Sequence, residues 1–157
     1  MLLQKLDPSQ QNDYHFEWKS RFRSGSRLWG MPVFSPDGAQ LAFAATKEDH
    51  GHIWLMPATG GEIHRVTTDE DSVLSSIISF SPDGTQIAYF SEKGGSWNIW
   101  TIPAAGGRAT RITRTPRAHY PSYSPDGTKI AYCSGELGTR DLWVVPATGG
   151  EAHIRKV

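Results

Sequence analysis

Three times in 157 residues the chain writes nearly the same phrase: PVFSPDGAQLAFAA at 32–45, ISFSPDGTQIAYFS at 78–91 and PSYSPDGTKIAYCS at 121–134. A second phrase follows each copy, IWLMPATGGE at 53–62, IWTIPAAGGR at 99–108 and LWVVPATGGE at 142–151. Trp54, Trp100 and Trp143 lie 16 residues beyond Gly38, Gly84 and Gly127, so the interior of the unit has a fixed length. All variation in the period falls between a second phrase and the next SPDG. A unit of 43–46 residues, dense in turn signals and nearly empty of helix signals, belongs to repeated four-stranded sheets.

Each unit reads as four short strands. An inner strand such as 32–35 runs into SPDG, where Pro presets φ at the second turn position, Asp suits the third and Gly supplies the positive φ that ends the turn. The second strand, at 40–45, 86–91 or 129–134, alternates with a period of two. Leu41 and Phe43, Ile87 and Tyr89, and Ile130 and Tyr132 fall on one face, with Ala42, Ala88 and Ala131 on the other. A short loop leads to the third strand, the ATGG or AAGG turn follows, and a polar fourth strand such as 63–67 or 109–113 closes the unit. The third strand is apolar on both faces, as in Ile53-Trp54-Leu55-Met56 and Leu142-Trp143-Val144-Val145, whereas a sheet with one wet face alternates. Both faces of each sheet are expected to be covered by neighbours. On that reading Trp54, Trp100 and Trp143 pack between sheets, and Trp100→Ala is expected to cost about 3–5 kcal/mol.

These phrases resemble the TolB-like, or WD-repeat-like, β-propeller repeats, marked by an inner strand ending in SPDG, an IAF or IAY strand, an IW or LW strand and a GG turn. The resemblance covers residues 32–157. It implies an all-β fold: a β-propeller segment of three four-stranded antiparallel blades, at about 31–67, 77–113 and 120–157, forming half of a six-bladed ring. Residues 1–30 are expected to form an N-terminal strand or cap segment, since Tyr14-His15-Phe16-Glu17-Trp18 alternates but no SPDG or GG turn accompanies it. Families with such repeats include the TolB translocation protein and the tricorn-type and prolyl-oligopeptidase-type serine peptidases, so the likeness constrains fold more than activity.

Propellers close with about four to eight blades, and three leave two open faces. Exposing each forgoes on the order of 5–10 kcal/mol of apolar burial, comparable to the stability of a whole domain. A second copy completing a six-bladed ring, further blades from a longer chain, or coverage by residues 1–30 would each relieve that cost.

In an antiparallel meander alternate turns lie at the same end of the sheet, so the SPDG and GG turns share one rim and the remaining connections share the other. The repeated rim is expected to be structural. Specific recognition is expected where the copies differ, in TKEDHGH at 46–52, SEKGGSWN at 91–98, SGELGTRD at 134–141, TTDEDSVLSS at 67–76 and TRTPRAHY at 113–120. The candidate partner-binding residues are Asp69, Asp71, Arg117 and His119 near the channel mouth, with Lys47, His50, Trp97 and Arg140 further out. Trp97, an indole in a Gly-rich loop, either packs on the neighbouring blade or offers a partner an aromatic anchor.

Composition narrows function mainly by exclusion. With 16 basic and 16 acidic residues, no global field draws the chain to nucleic acid, and the basic runs at 19–27 and 108–117 read as solvated surface. The N-terminus shows neither a signal-peptide core nor a stretch able to insert in a membrane, which gives a cytoplasmic expectation, or a periplasmic one for a piece of an exported TolB-like protein. His50-Gly51-His52 lacks a third ligand at zinc-like spacing, and Asp69-Glu70-Asp71 lacks the Gly and spacing of a calcium loop, so no metal and no cofactor is expected. The single Cys133 reads as a small buried hydrophobe. Neither G-x-S-x-G nor GxxxxGK occurs. The resulting expectation is a non-catalytic scaffold for protein or peptide partners. The alternatives are an accessory substrate-filtering propeller of a serine peptidase and a small-ligand sensor.

Overall fold

The computed structural model describes residues 28–47, 50–68, 77–136 and 138–155. The cap expected over 1–30 lies outside the described residues except for its last three, which begin the first strand. Each repeat folds as an antiparallel meander of four strands. Blade 1 comprises β1 (Leu28–Phe34), β2 (Gln40–Lys47), β3 (His50–Pro57) and β4 (His64–Arg65). Blade 2 comprises β5 (Ser79–Phe80), β6 (Gln86–Ser91), β7 (Asn98–Pro103) and β8 (Thr110–Arg111). Blade 3 comprises β9 (Ala118–Tyr123), β10 (Lys129–Ser134), β11 (Asp141–Pro146) and β12 (His153–Arg155). The fourth strands are shorter than the 63–67 and 109–113 read from sequence.

The SPDG turn is held by more than Pro and Gly. Ser81 Oγ donates to Asp83 Oδ1 at 2.6 Å and accepts the N–H of Gln86 at 2.9 Å, while Asp83 Oδ1 also accepts the N–H of Thr85 at 3.0 Å. Gly84, at φ 72°, donates its N–H back to Ser81 O. The same lattice recurs around Ser35 and Asp37 and around Ser124 and Asp126. Hydrogen bonds to a carboxylate favour its charged form. The Ser124 hydroxyl, then the N–H and hydroxyl of Thr128, hold Asp126 down to about 2, and the corresponding bonds lower Asp37 and Asp83. Because these pKa values lie below the unfolded value of 3.8, the turns add stability above that pH and lose it as pH falls through the folded values. The melting temperature is therefore expected to drop between about pH 4 and about pH 2, and Asp126→Asn to flatten that part of the profile.

A second repeated device joins strands three and four. The hydroxyl of Thr113 accepts the buried N–H of Ile99 at 2.9 Å and donates to Asn98 Oδ1 at 3.3 Å, and Thr67 accepts the N–H of Ile53 in blade 1. Thr113 is 2% exposed. Thr113→Val keeps the shape and strands a buried donor, so a loss of about 1–3 kcal/mol is expected in denaturant unfolding.

Strand alternation divides blade 2 between its neighbours. Ile87, Tyr89 and Ile102 join Ala42, Ile53, Leu55 and Val66 of blade 1 in one core, with Trp100 partly buried against it. Ala88, Phe90, Ile99 and Ile112 join Ile130, Tyr132 and Val145 of blade 3 in the other, where Trp143 packs. Every residue of β6 after Gln86 is buried, as an inner page of a fan requires. Blade 3 has one such neighbour, and β10 alternates buried with less buried positions. Cys133, on its uncovered face, is only half-buried.

Candidate functional site

The loop rim between blades 2 and 3 gathers four rings. Phe90, near the end of β6, lies 5.6 Å from Trp97, 5.1 Å from His119 and 5.8 Å from Tyr120 between ring centroids, each pair edge to face. His119 lies 5.6 Å from Trp97 and 5.8 Å from Tyr120 at shallower tilts. The Arg140 guanidinium sits over the Tyr120 ring, 5.4 Å from its centroid. Offset and edge-to-face aromatic pairs and a stacked guanidinium each add cohesion beyond buried area.

Local backbone irregularity places these side chains. Ala131 pairs with Ser122 and Cys133 with His119, so β9 spends an extra residue against β10, and Tyr120 takes φ 58° within this bulge. Bulges re-aim side chains at sheet rims. Arg117, at φ 59°, is a second non-glycine residue in the left-handed region. Such conformations cost of order 1 kcal/mol or more and persist where the surroundings fix them. Here Ser134 Oγ donates to Pro116 O at 2.7 Å, Thr115 Oγ1 meets the Tyr132 hydroxyl at 3.1 Å, and Ala118 N–H donates to Trp97 O at 3.1 Å. The last of these bonds fastens the Trp97 loop of blade 2 directly to the inner strand of blade 3.

Two arginines flank the cluster. Burial, and then the charges of Arg140 and Arg117, push the His119 imidazole below its usual range. Arg117 pairs with Glu136. Arg140 Nε is buried and has no hydrogen-bond partner among the described residues. The loop that carries Arg140 turns on Gly135, at φ 127°, where an added Cβ would stand 2.9 Å from Thr139 O. Gly135→Ala is therefore expected to cost about 1–3 kcal/mol and to displace Arg140 from Tyr120, visible as a loss of ring-current shift at the guanidinium.

Of the residues proposed from sequence, the structure brings together Trp97, His119 and Arg140, with Arg117 beside them. Lys47 and His50 pair in register where β2 meets β3 in blade 1, away from the cluster. Asp69 and Asp71 lie outside the described residues. Sequence reasoning missed Phe90, Tyr120 and Glu136. Phe90 carried a signal: it stands where the other copies have Ala44 and Cys133, the one large ring at that repeat position. Tyr120 follows His119 in a connection already singled out, but only the bulge turns it toward Arg140.

The opposite rim holds an open cleft of about 410 Å³ between the SPDG turns of blades 2 and 3, lined in part by Asp83, Gln86, Thr101, Tyr123 and Asp126. Burial, and then the Asp83 charge, push the Tyr123 phenol up to about 12. One oxygen of each carboxylate is committed to its own turn.

Comparison with known proteins agrees with this architecture. The family model described as the TolB beta propeller domain matches residues 19–154. TolB from Acinetobacter baumannii is similar at 27% identity and TM-score 0.71, over 82% of this chain and 32% of its own. A putative TolB from Agrobacterium tumefaciens is similar at 31% identity and TM-score 0.68, over 77% of this chain and 43% of its own. The β-propeller domain of the Trilobed protease from Pyrococcus furiosus shares the fold at 17% identity and TM-score 0.58, over 83% of this chain and 43% of its own. The chain thus spans less than half the length of these solved relatives. Among curated proteins none matches.

Proposed function

This chain belongs to the TolB β-propeller domain family, and on that footing we propose that it is a non-catalytic scaffold that receives a protein or peptide partner on its loop rim. The observation that carries the reading is the group of Trp97, His119 and Tyr120, partly exposed around the buried Phe90 and fastened to strands from two blades. Rigid aromatic side chains beside an arginine are what interface anchors are made of. The repeated rim offers a contrast, since its serines and carboxylates are engaged in the turns.

Selection of random displayed peptides on the chain tests this. Selected peptides are expected to lose about tenfold or more in affinity with Trp97→Ala and to be unaffected by Thr148→Ala on the opposite rim. Peptides indifferent to Trp97 would contradict the reading.

We further propose that a second copy closes the ring. Phe34 precedes its SPDG as Phe80 and Tyr123 precede theirs; those two pack against the preceding blade, whereas Phe34 is 61% exposed. Leu142 stands where Ile53 and Ile99, both 0% exposed, face the following blade, yet it is 38% exposed. The two open faces are thus the two halves of the contact that already recurs inside the chain. Blade 3 of each copy on blade 1 of the other gives six blades, within the range that closes.

A further inference from the structure

The loop-rim cluster combines aromatic surface with a cation, Arg140, that forms no ion pair among the described residues. The Arg140 guanidinium sits over the Tyr120 ring, its Nε is buried with no hydrogen-bond partner among the described residues, and Glu136, in the same loop, is paired with Arg117. A buried donor left unpaired is costly, and an arginine fork is shaped for a carboxylate. We propose that the site takes an acidic peptide, whose carboxylate is bound by Arg140 while a neighbouring apolar side chain rests on Trp97 and His119. This deepens the loop-rim reading and depends on it.

Three further observations favour this class of ligand. Burial first, and then the charges of Arg140 and Arg117, hold the His119 imidazole below its usual range; the arginine part of that effect is one a carboxylate would relieve and a basic peptide would worsen. The guanidinium already lies over the Tyr120 ring, and its planar fork is pre-organised, so less side-chain freedom is lost per hydrogen bond when it binds a carboxylate. A single-stranded nucleic acid also stacks on aromatic rings, but it needs a track of cations along its phosphates. Here the chain is formally neutral and one of the two arginines is already paired.

The test uses the full chain and two acetylated, amidated pentapeptides, Gly-Glu-Phe-Glu-Gly and the same peptide with Gln for both Glu. Binding is followed through the Trp97 indole and His119 imidazole resonances. The Glu peptide is expected to shift both signals and to bind about tenfold or more tightly than its Gln counterpart. Arg140→Gln is expected to erase that preference, Arg140→Lys to restore part of it, and Trp97→Ala to weaken both peptides alike. Equal binding of the two peptides that still requires Trp97 overturns the acidic preference and leaves the loop-rim reading standing. Absence of binding by either overturns the preference as well, whereas the loop-rim reading falls only if display selects no Trp97-dependent peptide. An oligothymidylate that displaces the Glu peptide at equal concentration overturns it in favour of nucleic acid.

Discussion

Tyr132→Ala is expected to remove about 3–5 kcal/mol of stability, enough to take blade 3 off blade 2. Tyr132 is 1% exposed at the centre of the second inter-blade core, stacked on Trp143 at 6.5 Å, with its hydroxyl on Thr115 in the connection that carries His119. Truncation to Ala opens a cavity among Ile130, Val145 and Phe90 and frees that connection together. The loss divides by chemistry. Tyr132→Phe removes the hydroxyl alone and is expected to cost about 1 kcal/mol, while Ala pays for ring volume as well. Trp100, expected from sequence to cost as much, is only partly buried against the first core and its indole N–H has no partner among the described residues, so its Ala variant is expected to fall at or below the lower end of its range. Urea unfolding of the three variants orders them; a Tyr132→Ala loss no larger than that of Tyr132→Phe would mean that the blades do not pack through this ring.

The second large effect concerns assembly. Leu142→Lys at one open face, or Phe34→Lys at the other, is expected to split the paired ring, weakening association by at least about a hundredfold, because each places an unpaired charge in what would become a buried apolar contact. In a two-fold pair one substitution alters both contacts, so either variant suffices. Both residues are exposed within the single chain, so its own fold should survive, and near-unchanged urea unfolding of the dilute variants checks that. Sedimentation of each variant against the parent reads the association directly.

The architecture was legible because the repeat states it three times. A fixed distance from SPDG to Trp sets the register of strands two and three, and an apolar third strand demands cover on both faces of a blade, which blade 2 receives: every residue of β6 after Gln86 is buried. The site was legible only in outline. Meander parity assigns Trp97, His119 and Arg140 to one rim, but their meeting depends on an extra residue in β9 and a left-handed Tyr120, and nothing local in Tyr120-Pro121 announces either. The Ser-to-Asp hydrogen bond in each turn was likewise hidden: turn propensity accounts for Pro and Gly, whereas the reason for pairing Ser with Asp two residues on appears only when their side chains are seen to close on each other.

All of this rests on sheets that need company on both flanks. The mass of the chain in solution, measured by light scattering on a sizing column at tens of micromolar, tests that need most directly. The expected mass is twice 17.4 kDa, collapsing to the single mass with Leu142→Lys; a parent chain that runs at 17.4 kDa throughout would contradict the paired ring.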